Sequence, residues 1–135
     1  MAVHLSRNHH QQLLDWAQAA APAECCGILR GVDGRVISVQ RTDNVVADNT
    51  RHFEIDPAAL IAVHKDVRNG GAPLFGYFHS HPNGRSEPST DDVAQAAADG
   101  STYLIIARGE ISAWQPVVFD GQVTGFSPVA LILEG

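Results

Sequence analysis

Leu74-Phe75-Gly76-Tyr77-Phe78-His79-Ser80-His81 is the stretch on which the fold turns. It is a continuous apolar run bounded by Asn69-Gly70-Gly71 before it and Pro82-Asn83-Gly84 after it, and its last three residues turn polar. That pattern reads as a buried strand delivering two histidines to an edge. His79 and His81 are two apart, so in a strand both side chains leave the same face, with Cα atoms roughly 6.5 to 7 Å apart. Two imidazoles so placed can converge on one ion at Zn–N distances of about 2.0 to 2.1 Å. After the loop from Pro82 to Pro88, Ser89-Thr90-Asp91-Asp92 opens a helix through Val93 to Ala98, and the loop is long enough to return Asp92 to the strand end. Three N/O donors leave a fourth tetrahedral position for water, the arrangement of a catalytic zinc site and not of a closed structural one. A plainer reading exists for each part: lone strand histidines are common, and Ser at N-cap with an acid three residues on is an ordinary helix start. Here they occur together, and Ser89 can cap the helix while its hydroxyl faces the metal water.

Outward from this centre, residues 9–21 place Leu13, Leu14, Trp16 and Ala17 on one side of an amphipathic helix stopped by Pro22. Residues 25–31 and 35–40 flank Val32-Asp33-Gly34, whose Asp-Gly signals a hairpin. Residues 42–50 are polar and rich in Asn and Asp, the likeliest mobile segment, before a short alternating piece, His52-Phe53-Glu54-Ile55. Asp56-Pro57 is an N-cap followed by proline at the first helical position, with Leu60, Ile61, His64 and Val67 at helical spacing. Residues 103–107, 111–118 and 122–126 are further strand candidates joined by turns at Gly109 and Asp120-Gly121; residues 128–133 read equally as strand or short helix. The order α-β-β-β-α-β-α-β-β-β predicts an α/β class of the α+β type, one mixed sheet with helices packed on it, in a single domain spanning residues 1–135.

At 135 residues, 44% hydrophobic and 18% charged, the chain has the composition of an ordered globular domain. A net charge of −6, with nine Lys and Arg scattered along the chain, excludes a basic stripe and with it nucleic acid as a partner. Cys25 and Cys26 are adjacent, so an unstrained disulfide between them is not expected. Free thiols, no signal-peptide core in residues 1–10 and no apolar run near the roughly 18 residues of a membrane span make the cytoplasm the expected compartment, with no membrane partner. The two cysteines, Trp16 and Trp114 are expected in the core. His64, on the apolar face of the second helix, and His52 could touch substrate, although packing and solvent are their commoner fates.

His79-Ser80-His81, seven residues, Ser89, two residues and Asp92 resemble the signature of the JAMM (MPN+, Mov34/MPN/PAD-1) metallopeptidases, and Glu24 ahead of Cys26-Gly27-Ile28-Leu29 resembles that family's upstream Glu. Asn44-Val45, residues 53–57, residues 76–82 and Glu87-Pro88-Ser89 are similar to the short bacterial members that act next to ubiquitin-like sulfur carriers. The resemblance implies a JAMM/MPN fold, cytidine-deaminase-like, with a mostly antiparallel central sheet flanked by helices. It implies one Zn2+ per chain held by His79, His81 and Asp92, with its water brought toward a pKa of about 7. Glu24 would then be the general acid/base and Ser89 a hydrogen-bond donor to the oxyanion. The expected activity is hydrolysis of an amide or isopeptide bond at the C-terminal tail of a ubiquitin-like or sulfur-carrier protein, held as an added strand. The alternatives are a non-catalytic MPN-type scaffold, which would not need the ligand set, and a RadC-like JAB protein, against which the missing basic patch argues. Zinc deaminases call for His-x-Glu and Cys-x-x-Cys, and neither motif is present.

Overall fold

The computed structural model describes residues 2–135. Seven strands and three helices follow in the order β1 (Ala2–Ser6), α1 (Arg7–Ala20), β2 (Cys26–Val32), β3 (Arg35–Thr42), α2 (Pro57–Arg68), β4 (Leu74–Ser80), α3 (Thr90–Gln95), β5 (Thr102–Ala107), β6 (Glu110–Phe119) and β7 (Gln122–Glu134). The expected mixed sheet is present, and it goes further than expected by closing into a barrel in the order β1-β3-β2-β4-β5-β6-β7. Strand β1 is the closing piece. It runs parallel to the end of β7, from Ala2 opposite Ala130 to Ser6 opposite Glu134, and touches β3 through His4 opposite Arg35. The sequence reading had missed β1, although Val3 and Leu5, both fully buried, carry the two-residue alternation of a strand.

One further expectation is corrected, and one left open is decided. Residues 52–55 form no strand; the segment makes an isolated bridge, Asn44 opposite Ile55. The C-terminal run is strand and not helix, because β7 continues through it to pair with β1. The hairpin readings hold: Asp33 and Gly34 have φ of 54° and 76°, the left-handed pair a two-residue turn between twisted strands requires.

The barrel wall is covered on two sides. On one, Leu13 of α1 joins Val3, Leu5, Leu29, Val36, Phe78 and Leu104, with Trp16 stacked on Phe78 at a centroid distance of 5.8 Å. On the other, Val63 of α2 packs with Cys26, Ile28 and Ile55, and Leu60 and Val67 lie beside them. The inward phase of α2 is therefore Leu60, Val63 and Val67. Ile61 is 67% exposed and His64 is also exposed, which removes His64 from the apolar face assigned to it from spacing. Cys25 and Cys26 are buried free thiols, as expected. Trp114 is only part-buried, its indole N–H donating to Ser112 Oγ at 2.9 Å.

Strand β4 is central. It is antiparallel to β2, with Cys26 opposite His79, and parallel to β5, with His79 opposite Ile105. Gly76 permits the second contact: a Cβ there would meet the Thr102 carbonyl oxygen at 1.8 Å. Among the described residues, no helix is long and apolar enough to cross a membrane.

Candidate metal centre

Alternation along β4 sends Phe78 and Ser80 toward the α1 side and Tyr77, His79 and His81 toward the α2 side. His79 is 1% and His81 7% exposed, and their Nε2 atoms stand 3.0 Å apart. Asp92 arrives from α3. Ser89 caps that helix by accepting from the Asp92 amide at 3.0 Å, and the Asp92 carboxylate accepts from the Ser89 amide at 2.8 Å, a complete capping box. The carboxylate is thereby aimed inward, and its Oδ2 lies 3.1 Å from Nε2 of both histidines.

Three donor atoms thus form a nearly equilateral triangle with edges of 3.0, 3.1 and 3.1 Å. A tetrahedral zinc with bonds of about 2.0 to 2.1 Å separates its ligands by about 3.3 Å, so the triangle needs to open by only a few tenths of an ångström to hold the ion. The tautomer of His81 agrees with that use. His81 Nδ1 donates to the Arg85 carbonyl at 2.7 Å, which leaves the Nε2 lone pair of the neutral ring pointing at the centre. His79 Nδ1 is buried with no partner among the described residues, so that ring is oriented by packing, stacked on Phe53 at 4.3 Å. Two imidazole lone pairs and a carboxylate oxygen aimed at one point repel one another unless a cation or protons sit between them. The residues fit the metal.

Glu24 lies in the turn between α1 and β2. The antiparallel pairing of β2 with β4 brings that turn to the strand end carrying the histidines. Glu24 is 6% exposed, and its carboxylate and the two imidazoles offer donor atoms within 4.8 Å of one another. A carboxylate from either Glu24 or Asp92 could complete a set with the histidines. The capping box holds the Asp92 carboxylate at 3.1 Å from both imidazoles, with the Glu24 carboxylate beside them.

The electrostatics separate the two acids. Burial pushes Glu24 up to about 7; His81 opposes this, and Asp92, Asp48 and Asp91 add to it. Burial also works against the charge on Asp92, but the two imidazoles and the Ser89 amide outweigh it and hold the carboxyl far below its usual range. Burial lowers His79. Burial acts in the same sense on His81, where the Asp92 carboxylate, the Arg85 carbonyl and Glu24 together raise it.

The centre opens on two sides. A polar cleft of about 590 Å³ is lined by Glu24, Arg51, His81, Arg85 and Ser89, among others. An apolar groove of about 270 Å³ runs from His79 and Asp92 past Phe53, Leu60, Tyr77 and Tyr103. Ser89 is exposed at the mouth of the cleft. Two residues near the centre were not assigned a place there from sequence. Phe53 stacks on His79, and His52, named only as a residue that could touch substrate, pairs with Asp91 at 2.6 Å and so ties the 43–55 segment to α3. Only the alternation of Phe53 and Ile55 hinted at their packing.

Known proteins agree with this architecture. The chain is 34% identical over 86 residues to a desampylase of Haloferax volcanii, an alignment covering 62% of each protein, so it spans about three-fifths of that relative's length. A solved structure from Desulfitobacterium hafniense superposes with a TM-score of 0.81 at 29% identity, covering 98% of this chain and 92% of the other. The structure described as JAMM, a metalloprotease-like zinc site in the proteasome and signalosome, superposes with a TM-score of 0.59 over the whole of both chains at 16% identity, a likeness of fold alone. Residues 6–117 match the family model described as prokaryotic homologs of the JAB domain, and the chain belongs to that family.

Proposed function

We propose that this chain is a zinc-dependent hydrolase of amide or isopeptide bonds, acting in a reducing compartment such as the cytosol on the C-terminal tail of a ubiquitin-like or sulfur-carrier protein. The observation that carries the reading is the His79, His81, Asp92 triangle with the buried, uncommitted carboxyl of Glu24 beside it. The substrate class is supported by the resemblance to the short bacterial members and by similarity to a protein named as a desampylase.

When bound, zinc would supply Lewis acidity and an activated water at neutral pH. The protein's own groups do the rest. Asp92, whose carboxylate accepts from the Ser89 amide, would be the anionic donor that balances the charge of the ion. Glu24, poised near neutrality, accepts a proton at its carboxylate during attack and returns it to the leaving nitrogen. Ser89 Oγ accepts from the Asp92 amide through a lone pair, which leaves its O–H free to donate to the oxyanion. The scaffold alternative would not need the donor set, and the nine scattered Lys and Arg give a RadC-like protein no basic patch.

The test is mass-spectrometric turnover of a sulfur-carrier protein extended at its C-terminus by an amide-linked amino acid, with zinc-loaded wild type and Glu24→Gln. Loss of the general acid/base should lower kcat by about 10²- to 10⁴-fold, and equal turnover by the two proteins would sink the reading.

A further inference from the structure

Asn44 sits in the polar 43–55 segment, where its residue type reads as an ordinary turn former. Its side chain makes four hydrogen bonds. Nδ2 donates to the Glu24 carbonyl at 3.0 Å and to the His52 carbonyl at 3.1 Å. Oδ1 accepts from the Glu54 amide at 3.0 Å and from the Val46 amide at 3.4 Å. Two donors face two carbonyls and two lone pairs face two amides, so the amide has one orientation that fits, and the reverse would break all four bonds.

The partners are not scattered. Glu24 lies outside any strand ladder, and among the described residues its main chain bonds to the 43–55 segment: its N–H donates to the Asn49 carbonyl at 2.6 Å and its C=O accepts from Asn44. The next peptide is fastened to β4, with the Cys25 amide donating to Ser80 Oγ at 2.8 Å and the Ser80 amide donating to the Cys25 carbonyl at 3.0 Å. On its other side Asn44 grips His52, which pairs with Asp91 next to Asp92, and it adjoins Phe53, which stacks on His79. The Val45 amide, donating to the Glu54 carbonyl at 3.0 Å, closes the segment on itself.

We infer that Asn44 is a positioning residue that fixes the Glu24 carboxyl relative to the two imidazoles by fastening the 43–55 segment to the Glu24 peptide. It touches neither substrate nor metal and acts through Glu24. This rests on the hydrolase reading above.

Asn44→Asp keeps the size and the acceptor but sets oxygen against the Glu24 and His52 carbonyls. In the zinc-loaded protein it should lower kcat by about 10- to 100-fold, the size expected when a reacting group is misplaced by about 1 Å, with KM changed by less than about 3-fold and zinc content unchanged. In a Glu24→Gln background the same substitution should change the residual kcat by less than about 2-fold, because residues acting as a unit are not additive. Amide exchange at Glu24 and Cys25 should accelerate by about 10-fold or more, as expected for a loosened segment. Should the Asp variant fail to fold, Asn44→Ala is carried through the same cycle. Wild-type kcat in an Asn44 variant while Glu24→Gln is inactive overturns this inference and leaves the hydrolase reading standing. An equal fall in both backgrounds also overturns it, since that marks general destabilisation. Full activity in Glu24→Gln overturns the reading beneath it.

Discussion

Zinc should raise the melting temperature of the metal-free protein in proportion to the logarithm of its concentration, and Asp92→Asn should abolish the effect. The unfolded chain loses the triangle of His79 Nε2, His81 Nε2 and Asp92 Oδ2, so the ion binds the native state preferentially. At 100 times the dissociation constant that linkage is worth about 2.7 kcal/mol. An unfolding entropy of about 2.1 cal/mol/K per residue gives about 0.28 kcal/mol/K for 135 residues, so the shift is roughly 10 °C, and each further tenfold in free zinc adds about 5 °C. Asp92→Asn is the informative variant because its amide oxygen can still accept from the Ser89 amide and keep α3 capped, while the anionic donor is gone. Scanning calorimetry of chelator-treated protein across a zinc series should therefore give a rising line for wild type and a flat one for Asp92→Asn, with zinc stoichiometry falling from one to near zero. Parallel lines for the two proteins, or no zinc dependence in wild type, would refute the assignment of these three atoms to one ion.

Ser89→Ala removes the cap acceptor of the Asp92 amide, at about 1 kcal/mol, and should also lower kcat by about 10²- to 10³-fold; a melt and a steady-state assay separate the two effects. Burial raises both thiols, Cys26 to about 11, so Cys25 and Cys26 should resist iodoacetamide at pH 7 in the native state and react only on denaturation; prompt labelling of the native protein would contradict their core placement. In the metal-free protein Glu24 titrates near 7 against an ordinary value of 4.5, so its uncharged form favours folding. That contribution is complete below about pH 4.5 and is lost as pH rises through about 7, at most about 3 kcal/mol. Denaturant melts at several pH values should show wild type losing stability relative to Glu24→Gln across that window.

What could be read in advance was whatever a short segment encodes by itself. Residues 74–81 declare a buried strand through composition alone, and Ser89 with Asp92 declares a helix start through spacing, which is why the cluster of His79, His81 and Asp92 was legible in the sequence. The missed features depend on partners far along the chain. Val3 and Leu5 are too few to establish a strand; β1 exists because residues 130–134 lie beside it. Residues 128–133 read equally as strand or short helix, and distant pairing decides: Pro128 stands opposite Trp114 just before β7 ends its pairing with β6 at Val129 and takes up β1 at Ala130. On α2, Ile61 and Val63 are both apolar, and only the wall formed by Ile28 and Ile55 decides that Val63 turns inward. Asn44 carried part of the family resemblance, but its use as a clamp was unreadable for a similar reason: its Glu24 partner lies 20 positions away.

The placement of the centre follows from the neighbours of β4. An antiparallel neighbour starts where β4 ends, so the residues leading into β2 must pass beside the two histidines, which brings Glu24 to the site with Cys26 opposite His79. A parallel neighbour cannot be reached by a tight turn. The chain leaving His81 has to cross back to the start of β5 before Thr102, and that obligatory crossover carries α3, with Ser89 and Asp92, over the same strand end. One strand with one neighbour of each kind therefore gathers the free carboxyl from one side and the anionic donor with its capping serine from the other. The long segment between β3 and α2 completes the enclosure, pressing Phe53 on His79 and pinning Glu24 through Asn44. A change at Asn44 should accordingly alter rate before it alters metal content, because the three donor atoms belong to β4, the residue after it and α3, whereas Asn44 holds the Glu24 peptide.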